Sequence, residues 1–153
     1  MPGSQLHPTI LDALAVLLDA VTGVQRVYTY QPIAVAPGQI PTVMGSNQAI
    51  DFWSVVPESS ESTRLTGYQH ETNHVVLFQH SYTIGDSSVT TPLLRVILQA
   101  VFDKFTNTFA IVPQAEMTGP PALTWPVPWM LAESFLVWRT EFRLPVKELY
   151  TTQ

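Results

Sequence analysis

His70-Glu71-Thr72-Asn73-His74-Val75-Val76-Leu77-Phe78-Gln79-His80 can be read as either of two structures, and the choice decides the fold. As a helix that then turns, it carries an HExxH zinc motif. His70 and His74 would share one helical face, Glu71 would act as general base on a metal-bound water, and His80 would close the coordination sphere. As a strand, the same residues alternate. One parity from Tyr68 to Tyr82 gives Tyr68, His70, Thr72, His74, Val76, Phe78, His80 and Tyr82, rich in the aromatic and β-branched side chains that strands favour.

Distance separates the two readings. Along a strand, four residues span roughly 13 Å and six roughly 20 Å, whereas zinc–nitrogen bonds are about 2 Å, so no pair of these imidazoles can share an ion. The metzincin pattern HExxHxxGxxH needs glycine to end the helix, and that position is Leu77. A Cβ there penalises the backbone conformation that would swing His80 back to the metal. Met117, followed by Gly119-Pro120-Pro121, is weak support for a Met-turn. No capping residue with a helical stripe precedes His70, and Val75 to Phe78 suits a strand centre. The strand is therefore the expectation, with no metal or cofactor site and no catalytic residue. The alternative is a zinc metallopeptidase using His70, His74 and His80 with Glu71.

The chain has 153 residues, enough for one domain over 1–153 with a proper core. Charged residues are only 12%, about half the usual share, while hydrophobic residues reach 46%. So little charge leaves few side chains for a plain solvated surface, and buried contacts with other subunits are the natural explanation. With no cysteine there are no disulfides, thiol nucleophiles or thiolate metal sites. Asp12 and Asp19 interrupt the apolar run from Ile10 to Val21, which argues against a signal peptide or a membrane span. Net charge is −5 and the seven Lys and Arg are spread from Arg26 to Lys147, so no basic patch awaits nucleic acid.

Thr9 and Asp12 can form a capping box, Ile10, Leu14, Leu17 and Val21 repeat at helical spacing, and Gly23 follows as a stop. This predicts a helix over 9–22, then a strand over 24–30. Pro32, Pro37, Gly38, Pro41 and Gly45 make 31–48 a long, contact-making loop. A strand is expected over 49–56, with 57–66 as a polar connection to the long strand. Thr91-Pro92 reads as N-cap and first helical residue of a second helix ending near Phe105, whose apolar stripe is Leu94, Leu98, Val101 and Phe105.

Residues 107–130 hold five prolines, with Trp125 and Trp129 beside the last two, and read as a second long loop. Those two tryptophans are candidate partner contacts, or they cover the end of the core. Leu136, Trp138, Thr140, Phe142, Leu144 and Val146 make one face of a closing strand, and Pro145 places its far end at a sheet edge. The order predicts an α+β domain: a mainly antiparallel sheet of about four or more strands with two helices packed on one face.

Nucleotide and acyl-transfer signatures are missing: no GxGxxG, GxxxxGK[ST] or GxSxG occurs. Asp12, Asp19, Asp103 and Glu148 fall on helical or terminal positions where solvated charge is ordinary, and Asp51 and Glu141 lie in expected strands.

Several blocks resemble the tail terminator (tail completion, neck) proteins of long-tailed bacteriophages. They are Ile10 to Leu18 running through Gly23-Val24 into Val27-Tyr28-Thr29-Tyr30-Gln31-Pro32; Val75-Val76-Leu77-Phe78 before the second helix; and Phe135 to Val146 with Glu141-Phe142-Arg143-Leu144. The Trp- and Pro-rich stretch 119–130 has no place in that pattern. The resemblance implies a structural virion protein, not an enzyme, located in the tail or neck and assembled in the host cytoplasm. It would form a ring, typically hexameric, that caps the tail tube and meets the head–tail connector. Its partners would be itself, the tail tube protein and the connector protein, with DNA passing the lumen unbound and no membrane involved. Independently, scarce charge fits buried subunit contacts, and the acidic balance lets DNA pass without sticking. A small monomeric binding module using Trp125 and Trp129 is the third reading.

Overall fold

The computed structural model describes residues 8–30, 45–46, 49–83, 87–131 and 135–151. Most of the loop expected over 31–48 lies outside the described residues. Residues 70–80 belong to a strand, β4 (Gln69–Thr83), which is paired antiparallel along nearly its whole length with β3 (Ala49–Arg64) on one side and β8 (Phe135–Thr151) on the other. With both ladders filled, each backbone polar group in β4 has a neighbour, which is the condition for burying it. Thr72, His74, Val76, Phe78 and His80 are all buried on one face, as the alternation requires.

The sheet runs β1 (Arg26–Tyr28), β3, β4, β8, β6 (Ala115–Met117) and β5 (Ala110–Val112). In addition, β2 (Gly45–Ser46) pairs with β3 and β7 (Ala122–Leu131) with β8. It is a mixed sheet: β1 joins β3 in parallel and the other pairings are antiparallel. Two helices accompany it, α1 (Pro8–Asp19) and α2 (Ser87–Thr106). Neither is long and apolar enough to cross a membrane.

Ile10, Leu14 and Leu18 of α1 and Leu94, Leu98, Val101 and Phe105 of α2 join Val55, Val76, Phe78, Phe142 and Leu144 in one hydrophobic cluster. Each such side chain contributes about 1.5–3 kcal/mol by leaving water. Phe78 meets Phe105 edge-on at 5.0 Å between ring centres. Since α1 touches β1 and β3 as well as β5 from the far end of the strand order, the sheet curls around it. Gly23, with φ of 96°, turns the chain out of α1 close against Ile97.

Four expectations give way here. The connection expected over 57–66 is strand as far as Arg64: Ser59 to Arg64 pair with Val75 to His70, and a bulge after Pro57 absorbs the proline. The turn shrinks to Leu65–Tyr68, where the Gln69 N–H donates to the Thr66 hydroxyl at 3.0 Å. The loop expected over 107–130 holds β5, β6 and β7, with Pro126 and Pro128 in β7, an outer strand bonded to β8 alone, where a missing N–H is tolerated. Helix α2 begins at Ser87, not Thr91, and carries Pro92 inside, so the Ser88 carbonyl lacks its helical donor.

The fourth is Pro145, which lies in an interior strand opposite Val75. Its carbonyl accepts from the Thr118 N–H at 3.1 Å, so its nitrogen faces that same side. There β6 ends at Met117 and β7 begins only at Ala122. The proline thus sits in β8 at the seam between β6 and β7.

Candidate functional site

Strand geometry places His70, His74 and His80 on one face and Glu71 on the other. The Glu71 carboxylate lies 3.9 Å from Lys147 Nζ, and Lys147 is held more closely by Glu116 at 3.1 Å. The four residues of the zinc motif are therefore split across the sheet. Leu77, at the glycine position, is buried on the Glu71 face between Val56 and Arg143. Among the described residues, no three His, Asp or Glu side chains gather around a point.

His74 has its own partners. Its Nδ1 is 2.7 Å from Ser60 Oγ on β3 and its Nε2 is 2.9 Å from Glu148 Oε1 on β8. Ser60 is exposed, while His74 and Glu148 are buried. Hydroxyl, imidazole and carboxylate thus stand in the serial order of a nucleophile, base and orienting acid. Among the described residues, the strand ladder around Ser60 does not supply the rest of that chemistry. Backbone N–H groups of the flat ladder lie in the plane of the sheet, not over the face from which the Ser60 hydroxyl projects, so they do not donate to a developing oxyanion there. The arrangement instead satisfies a buried imidazole in both protonation states. When neutral it donates from Nε2 to Glu148 and accepts from Ser60; when charged it donates to both. Beside it, the Ser62 and Thr72 hydroxyls bond at 2.8 Å.

His80 is held differently. It stacks on Trp53 with ring centres 4.3 Å apart and planes 20° apart, and its Nε2 is 2.8 Å from Asp51 Oδ1. Its Nδ1 is buried without a partner, as are Trp53 Nε1 and Thr140 Oγ1 on the adjoining strands. A neutral imidazole with its proton on Nε2 leaves only a lone pair unpaired, the less costly arrangement in an apolar setting. Next along β4, burial first and then the Asp51 carboxylate raise the Tyr82 phenol above its ordinary value of 10.0. Both ends of the inner face therefore carry buried polar groups, and the apolar middle lies under the helices.

On the outer face, Arg143 Nε donates to both Glu58 oxygens at 2.9 and 3.1 Å, and Gln79 donates to Glu141 at 2.9 Å. These partly exposed pairs are worth little individually. Trp129 lies on this face with the Arg139 guanidinium 4.9 Å above its ring. Burial lowers the Arg139 pKa from its ordinary value, and Glu141 opposes the shift. Trp125 goes to the opposite face. The bulge between Thr124 and Val127 inverts the alternation, so two tryptophans four residues apart end on different sides of β7.

Trp125 is 59% exposed and stands against α2. One cleft of about 270 Å³ beside it is lined by Thr91, Leu94, Arg95, Pro126 and Trp138. The sequence offered Trp125 as a candidate contact but not Arg95, Ser60 or Glu148, whose roles appear only once distant strands pair.

No protein-family model matches the chain, and no curated protein matches it. A solved structure aligns over 95% of this chain and 94% of its own, with a TM-score of 0.50 and 14% sequence identity. At that identity the likeness concerns the fold alone.

Proposed function

We propose that this protein is a structural subunit of a ring, of the kind that the resemblance to phage tail terminators implies. It would cap the tail tube in the neck of a virion and meet the head–tail connector. The observation that carries the reading is the distribution of exposed large apolar side chains. Val16, Val96, Phe109, Tyr68 and Trp125 are each more than half exposed and lie on both helices, the α2–β5 connection, the hairpin turn and β7 of a chain with only 12% charge. Apolar surface spread in this way fits a subunit with neighbours on several sides. Six copies, the tail tube protein and the connector protein are the proposed partners, with DNA passing the lumen without specific contact. The mixed sheet with helices is compatible with this role without specifying it.

The test is the mass of the purified protein by light scattering, alone and after mixing with tail tubes, together with negative-stain images. Closed rings, free or seated on tube ends, are the expected outcome. A protein that stays monomeric with tubes present and leaves their length uncontrolled would sink the proposal.

A further inference from the structure

Two exposed surfaces of the helix layer match each other in chemistry and share no cleft within one chain. On α1, Asp12, Val16 and Asp19 form an outward stripe at helical spacing, with Val16 70% exposed between two exposed carboxylates. Neither carboxylate makes a hydrogen bond or ion pair among the described residues. On α2, Leu93 and Val96 are 52% and 69% exposed, and Trp125 stands beside them at 59%. Arg95 lies in the same patch and lines both flanking clefts, of about 270 and about 530 Å³. It too makes no hydrogen bond or ion pair among the described residues. The acid nearby, Asp103, is bonded to Gln99 at 2.9 Å. Ala100 of α2 lines the cleft beside Trp125 and also the one that reaches Ala20 and Val21 beyond α1, and neither cleft includes Asp12, Val16 or Asp19.

We propose that the α1 stripe of one copy of this chain docks on the Trp125–α2 surface of the next. Val16 lies against Trp125 and Val96, and the flanking Asp12 and Asp19 carboxylates reach Arg95. Each side is apolar with charge at the rim: two unpartnered carboxylates on α1, and on α2 the unpartnered Arg95, with Asp103 of the same cleft engaged by Gln99, so the α1 stripe meets its unlike charge at Arg95 and not on a second copy of itself. Such a contact is head-to-tail: it repeats the order α1, α2, Trp125 from copy to copy and continues one helix layer around the assembly. It generates a ring when the rotation closes. Tryptophan and arginine are also among the residue types that most often anchor an interface. This inference rests on the ring reading and specifies which surfaces make the ring.

The chain has no cysteine, so introduced thiols report contacts without background. The full-length variant carrying Val16→Cys together with Val96→Cys is oxidised mildly, with and without tail tubes, and run on a non-reducing gel. The expected product is a ladder of dimer, trimer and larger species, while either single variant gives no ladder. In parallel, light scattering follows Arg95→Glu and the combination of Arg95→Glu with Asp12→Arg and Asp19→Arg. The first should lower the assembled fraction about tenfold and the second should restore it. All these positions are exposed, so the fold should persist, which far-UV circular dichroism checks.

Rings that survive Arg95→Glu and give no ladder would overturn this interface and leave the ring reading standing. Cross-linking that stops at the dimer would overturn the head-to-tail arrangement. A wild-type chain that does not assemble, together with a double-cysteine variant that does not cross-link, even on tubes, overturns both.

Discussion

The contacts of His74 give a direct test of what it does for the fold. Its two nitrogens meet Ser60 and Glu148, so removing either partner leaves a buried polar atom unsatisfied. Glu148→Ala is expected to destabilise the fold by about 1–3 kcal/mol in urea unfolding, and Glu148→Gln by less, since an amide oxygen can still accept from Nε2. Equal stability of Glu148→Ala and wild type would mean that the imidazole does not depend on this bond. Tyr82 gives a prediction in pH. Its phenol is raised in the folded state, so the folded chain holds that proton more tightly than the unfolded one. The associated stability is complete below the ordinary phenol value of 10.0 and is lost as pH rises from there through the folded value. Tyr82→Phe should flatten the alkaline loss of stability, followed by fluorescence against pH; an unchanged profile would assign the loss to other groups.

At the scale of elements, helices are anchored by one stripe each. Leu98 is buried while Gln99, next to it, is exposed, so Leu98→Ala should cost about 2–5 kcal/mol and Gln99→Ala within about 0.5 kcal/mol. Two glycines make a similar contrast. At Gly23 the positive φ and Ile97 at 3.0 Å from a built Cβ both penalise a side chain, so Gly23→Ala should lower stability by about 1–2 kcal/mol. Nothing lies within 4 Å of a Cβ at Gly67 in the hairpin turn, and Gly67→Ala should be close to neutral. Thermal unfolding of the four variants checks both contrasts.

The elements that were legible in the sequence are those whose signal is local: the stripes of α1 and α2 and the alternation from Tyr68 to Tyr82. Ser59 to Arg64 was not, because a run of serines and charges becomes strand only when β4 offers a ladder. The proline-rich stretch was misread for the same reason, since an outer strand tolerates residues that an inner one excludes.

For the molecule as a whole, the sequence pointed to helices on a sheet but not to the parallel joining of β1 to β3, a pairing between segments 26 residues apart (Arg26 and Phe52). The candidate site was legible only in part. Alternation put three histidines on one face, but Ser60, Glu148 and Asp51 reach them from 14, 74 and 29 residues away, and no local pattern encodes such meetings.

The place of β8 in the chain has a further consequence. It pairs with β4, β6 and β7, and all three precede it in sequence. During translation, which proceeds at about 5–20 residues per second, the β3–β4 hairpin waits with one edge bare and its buried histidines and phenylalanines uncovered. The sheet can close only after β8 has been synthesised and has emerged, so until then the waiting hairpin is the segment most exposed to mispairing.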